Sequence, residues 1–546
     1  MSVPLRKTSF HPGVVVLRQP SKAQSIYSDP LITDEANNNE IIDNAEIETS
    51  NRRWTPLQEF YADQSIFVTG ATGFLGKILV EKLLRSCPNI SKIYVLVRPK
   101  KGMDVQSRME AIFNDPMYDR LKEQMPKFRH KIVPIAGDCS VPALGLSASN
   151  RALLLREVSI VFHVAATVRF DEKLKLATAI NIRSTGDILD ICKYMPKLKS
   201  LIHVSTAYAN CHLQEIGEKF YNYPIKYDGV CKLTETLPES TIDDITPRLL
   251  GQWPNTYAFT KAIAEDLIKE KNKGLPMGMF RPGIVVSTAE EPLSGWIDNI
   301  YGPTGVVTGA STGLLRTLHC DAAKNANIVP VDLTVNALIA SAWDVANHPE
   351  RREDDMLIYN FVSSVEAPLT WGEYCETNLK HGVEYPFSTS IWYLSFRMNK
   401  SKIMHQISVI ILHLLPAILV DAVCISTGNK PRMWKGYQKI HKFTNVIAYF
   451  CTREWQFRND NVQAMWRRLD AKDQQIFKFS MRNFNWQAYF CNYIQGIRVY
   501  LMKDDLSTLE SSRTKWRRLY WMHQVLKVLI FFMGAWMLRR LFSVFV

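Results

Sequence analysis

The sequence predicts a doubly wound α/β domain on a parallel sheet, followed by a mainly helical domain and an apolar C-terminal segment. Short apolar runs, the length of buried strands, recur at residues 66–68, 92–97, 131–136, 160–165, 201–205, 277–286 and 356–362, with helical patterns between them. Alternation of that kind belongs to a parallel sheet covered by helices on both faces. The first run stops at Gly70-Ala71-Thr72-Gly73-Phe74-Leu75-Gly76, and a helical pattern starts at once with Lys77, Ile78, Leu79 and Val80.

Strand, glycine turn and helix is the setting in which a glycine fingerprint means dinucleotide binding, the mark of a Rossmann-type sheet. Gly70 suits the tight turn, Gly73 lets backbone N–H groups reach a pyrophosphate, and Gly76 lets the helix pack closely. The loop also supplies Thr72, Phe74 and Leu75. Its G-x-x-G-x-x-G spacing departs from the commonest Rossmann form and resembles that of extended short-chain dehydrogenases/reductases.

The second run, KIYVLV, ends in Arg98-Pro99-Lys100-Lys101, with Arg98 22 positions beyond Gly76. An NAD site presents an acid to the adenosine ribose at about this place. Cations stand there instead, and a guanidinium grips a 2′-phosphate through paired hydrogen bonds. NADPH is therefore expected over NADH, against the plainer account of a solvated basic turn.

Tyr257-Ala258-Phe259-Thr260-Lys261 sets a phenol and an amine four residues apart on one helix face. A free phenol, with pKa about 10, is a poor acid at neutral pH. An ammonium one turn away would bring it toward the working range. The fifth run ends in His203-Val204-Ser205-Thr206-Ala207, and side chains alternate along a strand, so one hydroxyl faces a substrate carbonyl. Alignment of the final Ala with the related epimerase pattern favours Thr206, with Ser205 as the alternative. Asn181 resembles the Asn that holds the lysine through water; a buried Asn satisfying backbone accounts for it equally well. Family resemblance further implies Asp138 at the adenine, the turn His163-Val164-Ala165-Ala166 behind the adenosine ribose, with Ala165 as a cofactor contact, and a strand that ends at Arg281-Pro282-Gly283 beside the nicotinamide. His163 and His203, inside apolar runs, read as satisfied core histidines.

The runs FVTGATGFLGKILVEKLLRSCP, FHVAATVRFDEKL, WPNTYAFTKAIAE, YGPTGVVTGASTGLLR and NWQAYFCNYIQGIRVYLMKDD resemble the alcohol-forming fatty acyl-CoA reductases. The resemblance covers nearly the whole chain from about residue 57. It implies NADPH-dependent reduction of a long-chain acyl-CoA to a primary alcohol by two successive hydride transfers, with CoA released. Reduction of another lipid carbonyl (an aldehyde or a sterol) and an inactive membrane scaffold are the alternatives; intact Tyr257 and Lys261 speak against the scaffold.

The domain reading is residues 1–56 a polar, disordered extension, 57–365 the reductase domain, 366–510 the helical domain and 519–546 a membrane-associated segment. A net charge of +13 without a nucleic-acid-binding motif suits anionic cofactors, thioesters and membrane surfaces and gives no reason for a nucleic-acid partner. Ten cysteines stand singly with no C-x-x-C pair, which implies reduced thiols and no metal site. Residues 407–426 are about long enough to span a bilayer but include His413, Pro416 and Asp421, so a buried helix or tunnel wall stays open beside a span. At the end, Lys527 and Arg539 bracket an apolar stretch that either spans by snorkelling or lies in the interface. Membrane lipid is thus an expected partner. The catalytic part is expected on the cytosolic side of the endoplasmic reticulum or peroxisome; an oligomer is possible but unassigned.

Overall fold

A computed structural model describes residues 53–99, 102–348 and 356–545. Nearly all of the expected extension and the cations Lys100 and Lys101 lie outside the described residues. The Thr55 hydroxyl and Gln58 side chain form a capping box on helix α1 (Pro56–Tyr61).

Seven parallel strands form the sheet: β1 (Ser65–Thr69), β2 (Lys92–Val97), β3 (Ile132–Ala136), β4 (Ile160–His163), β5 (Ser200–Val204), β6 (Met277–Pro282) and β7 (Leu357–Phe361). Their order is β7-β6-β5-β4-β1-β2-β3, so the winding reverses between β1 and β4. Each strand matches an apolar run. Alternate residues of β1 go to opposite faces, Ile66 and Val68 into one core and Phe67 into the other. The expected sixth strand is shorter than its run. Pro282 lacks an N–H for the ladder, and a Cβ on Gly283 would stand 2.6 Å from the Asn327 carbonyl oxygen. Ile284–Val286 therefore leaves the sheet and pairs with Ile328–Pro330.

One face is covered by α2 (Phe74–Ser86). The other carries α3 (residues 174–192) and α4 (Thr256–Lys271). Helix α3 holds a π-turn at Ala179–Arg183, which carries Asn181. Helices α5 (Pro303–Ser311) and α6 (Val331–Ala346) follow, α6 packing on α2. Beyond β7 come α7 (Trp371–Glu384), α8 (Lys402–Ser426), α9 (Met433–Cys451), α10 (Trp486–Gly496) and the long α11 (Leu509–Phe545). This helical part is stitched to the sheet domain. Gln456–Phe457 pairs with Glu215–Ile216, and Leu57 N–H donates to Asp473 at 3.0 Å.

Among the described residues two helices are long and apolar enough to cross a membrane, Lys402–Ser426 and residues within Leu506–Arg540. The three residues expected to trouble the first are accommodated. Asp421 accepts from the backbone N–H groups of Arg432, Met433 and Trp434, each at 2.9 Å, and so caps α9. His413 accepts from Arg316 N–H at 2.9 Å and meets His441 at 3.1 Å. Pro416 directly follows a π-turn at Ile410–Leu414, where the regular helical ladder is already interrupted.

Candidate active site

The glycine loop sits at the end of β1, beside the switch in strand order where such sheets take ligands. Gly70 has φ 74°, and a Cβ there would stand 2.7 Å from Ala165 N. A Cβ on Gly76 would stand 2.2 Å from the Gly70 carbonyl oxygen, so the first turn of α2 rests on the loop itself. Gly73 caps α2 without a side-chain bond, which leaves first-turn N–H groups to an anion. Phe74 stacks on Trp296 at 5.6 Å and Leu75 packs into the core, so these two offer backbone rather than side chain.

The side chain of Arg98 is 63% exposed, its Nε 3.9 Å from Asp138 Oδ2. Asp138 Oδ1 accepts from the Ser140 backbone and hydroxyl at 2.9 and 2.8 Å. A second guanidinium stands here that sequence reading passed over. Arg108 donates to the Arg98 carbonyl and, at 3.3 Å, to Thr72 Oγ1. Burial first, and then the like charge of Arg98, lower its pKa. Two adjacent guanidiniums beside a loop of free N–H groups fit a phosphate-bearing dinucleotide. The signal was present in the sequence: Arg108 lies in the helix that follows the basic turn.

Tyr257, Lys261 and Glu265 recur every fourth residue along α4, aligned on one face. Burial pushes the Tyr257 phenol up to about 12, while a hydrogen bond from the Thr206 side chain pulls the other way. Lys261, only 1% exposed, is lowered by burial to about 8, with Glu265 acting to raise it. Its amine donates to the Val204 carbonyl at 2.7 Å. The expected partnership thus differs in detail: the phenol is tuned by Thr206, and the amine is spent on the end of β5. The two adjacent hydroxyls separate cleanly. Thr206 faces the cavity with Tyr257, whereas the Ser205 hydroxyl donates to Glu265 at 2.6 Å. Asn181 donates to Thr260 Oγ1 at 2.9 Å and accepts from Thr167 N–H at 3.0 Å; Lys261 is not among its partners.

Glu265 is the hub that sequence reading missed. It takes Arg281 bidentately at 2.8 and 2.7 Å, both side chains fully buried, and also accepts from Ser205, Tyr223 and Asn210. Arg281 also donates to the carbonyls of Gly217 and Lys219. It ties α4 to the end of β6 and to the loop at Gly217 and Lys219. His163 is satisfied as expected, by Thr69 at 2.7 Å and Thr185 at 3.1 Å. His203 is not: it is buried, and neither ring nitrogen has a hydrogen-bond partner among the described residues. Burial and nearby Lys261 lower both imidazoles, which keeps them neutral.

From Thr206 and Tyr257 an apolar cavity runs between the sheet domain and the helical part, enclosing about 980 Å³ with its open mouth. Phe170, Val306, Leu379, Met398, Ile447 and Phe450 line it, and so do three thiols, Cys320, Cys375 and Cys451. Phe170 bridges Tyr257 at 5.8 Å and Phe450 at 5.6 Å. Such a channel takes a long flexible chain and holds its head at the polar pair.

A family model described as "Male sterility protein" and named for NAD binding matches residues 68–338, and a second with the same description matches 412–504. Fatty acyl-CoA reductase wat of Drosophila melanogaster is 43% identical over 90% of this chain and 94% of that protein. Fatty acyl-CoA reductase 2 of Homo sapiens is 35% identical over 88% and 93%. Among solved structures, the reductase domain of a nonribosomal peptide synthetase from Mycobacterium tuberculosis superposes with TM-score 0.52 at 20% identity, covering 82% of this chain and 94% of that one. The last likeness is one of fold. The cradle around Gly70 is that of a nicotinamide dinucleotide. With its sheet, its polar pair and both family segments in place, the chain belongs to the fatty acyl-CoA reductase family.

Proposed function

We propose that this chain reduces long-chain acyl-CoA to the primary alcohol at the expense of two NADPH, with Tyr257 and Thr206 as the groups that meet the substrate oxygen. The observation that carries the reading is the meeting of those two hydroxyl groups at the head of an apolar cavity. The Gly70–Gly76 cradle would hold the dinucleotide, whose nicotinamide would supply hydride to the carbonyl carbon in each round. Thr206 and Tyr257 converge on one side of that carbonyl and stabilise the oxyanion as it forms. When the thioester oxyanion collapses, the C–S bond breaks and the thiolate leaves as CoA. In the second round the aldehyde becomes an alkoxide, and Tyr257 gives it a proton. A phenol held near 12 is fully protonated at neutral pH, the state a proton donor needs. Lys261 braces the end of β5 through the Val204 carbonyl and returns the proton to Tyr257, while the Glu265 carboxylate favours the charged lysine. The dry walls keep water off the aldehyde.

The test is fatty alcohol formation from a panel of acyl-CoAs with NADPH. No alcohol from any chain length would refute the reading, and aldehyde trapped as the sole product would refute the second round.

Arg98 and Arg108 are assigned to the 2′-phosphate. A hydrogen bond to a charged group contributes about 1.5–3 kcal/mol, so Arg98→Ala should weaken NADPH by about 10- to 100-fold. NADH binding, measured by the same fluorescence titration, should hardly change. Equal weakening of both would remove the assignment.

Reduction should decline as pH rises through about 8, where buried Lys261 loses its proton. The carboxylate of Glu265 holds that value up against burial, so Glu265→Gln should move the decline to lower pH in a kcat profile. An unmoved profile would take Lys261 out of proton return.

Acyl chains concentrate in membranes, and α11 offers an apolar surface as a tether, with Trp521, Leu529, Phe531 and Trp536 all well exposed. We infer membrane association through α11, with the sheet domain on the cytosolic side where NADPH is found.

A further inference from the structure

Helix α8 has the length and apolarity of a span, but its two faces say otherwise. Every fourth residue along one row, Ile403, Ile407, Ile411, Leu415, Leu419 and Val423, is between 43% and 69% exposed. The opposite row, His405, His413, Ala417 and Asp421, is buried against the body. Every polar side chain in that row is bonded, His405 to Thr317 at 3.3 Å and the other two as described above. The helix is therefore fastened along one side and bare along the other.

Both of its ends are fastened to the same body. Upstream, Arg397–Asn399 pairs with Thr317–His319 and carries Met398 into the cavity wall. Downstream, the chain turns back into α9, which packs along α8 and returns to the cavity with Ile447 and Phe450. If α8 crossed a bilayer, the turn and the first part of α9 would have to cross with it. That part holds Lys430, Arg432, Lys435 and Lys439, all exposed, and burying such charges in hydrocarbon costs several kcal/mol or so each.

Helix α11 leaves the body on the same side. Tyr393 stacks on His523 of α11 and packs against Trp516 and edge-on against Tyr520, and neighbouring Trp392 donates to His523 at 3.2 Å. The guanidinium of Arg316 lies 5.8 Å from the Trp392 ring, while its backbone N–H is the donor to His413 of α8. Arg316 thus links the root of α11 to the middle of α8.

We propose that α8 lies in a single leaflet, its bare row among the acyl chains and the cations of the α8–α9 turn among anionic head groups, as a second membrane contact beside α11. The reading rests on the membrane association inferred above and gives it a geometry. It places the wall of the acyl channel against the lipid, because Met398 precedes the first residue of α8 by only a few positions.

Two cysteine variants of the full-length chain test it in sealed phosphatidylcholine–phosphatidylserine vesicles with the catalytic side outward. Asn429→Cys, in the turn, should react with an impermeant maleimide before detergent is added, as read by peptide mass. A spin label at Leu419→Cys should be reached by oxygen and shielded from a water-soluble nickel chelate. Labelling of residue 429 only after detergent would mean that α8 spans and would overturn the proposal. Chelate access at 419 would mean a wet face, and shielding from both probes would mean a protein cover such as a second copy; either result overturns it too. Fatty alcohol formation by both variants in detergent should match the parent. Its loss in the parent would refute the proposed reaction and leave the helix geometry standing.

Discussion

Tyr257→Phe should lower kcat by about 10²- to 10⁴-fold, the usual contribution of a placed general acid, with NADPH affinity kept. The ring stays, so the stack with Phe170 and the wall of the cavity survive. What goes is the proton that the proposed mechanism gives to the substrate oxygen, and the bond with Thr206. Thr206→Val should cost less, because Tyr257 remains as donor while one hydrogen bond to the oxyanion is lost. Turnover of Tyr257→Phe within threefold or so of the parent would move the proton donor elsewhere, and solvent isotope effects on both variants would show where.

The largest loss of stability is expected at Glu265. Removing one member of a buried ion pair costs about 3–5 kcal/mol, because the partner is left charged and unmatched. Arg281 has two backbone carbonyls to fall back on, which puts Glu265→Gln at the lower end and Glu265→Ala at the upper. The midpoint of thermal unfolding should fall in that order. The double variant Glu265→Gln/Arg281→Met, which removes both charges, should recover part of the loss. If the double variant were worse than Glu265→Ala, the pair would be contributing net stability of its own.

The parts of this architecture that were legible in the sequence are the local ones. Each strand of the sheet stands on a run of apolar residues, and Gly70 and Gly76 are needed for contacts within a few residues of themselves or with one neighbouring strand. Tyr257 and Lys261 share a helix, so their alignment follows from periodicity alone. Non-local features stayed hidden. Ser205 and Thr206 are adjacent in sequence but separated by their partners, and one of those partners, Glu265, lies 60 residues away. The acyl channel draws on α5, α7 and α9 together, and no single segment announces it. His203 looked like an ordinary core residue because burial is readable from an apolar run, whereas hydrogen-bond satisfaction is not.

The three cysteines of the channel wall have a chemical consequence. On the proposed reaction the compounds that pass them are acyl donors and aldehydes, and both are captured by thiolates. Burial holds Cys375 up at about 12, and Cys320 is pushed upward by its contact with the Cys451 sulfur and by burial. Kept in the SH form, Cys320 and Cys375 act toward the passing chain as soft apolar padding. The enzyme can thus line the path of an electrophile with latent nucleophiles and not trap its own intermediate, so long as that stretch of wall stays dry.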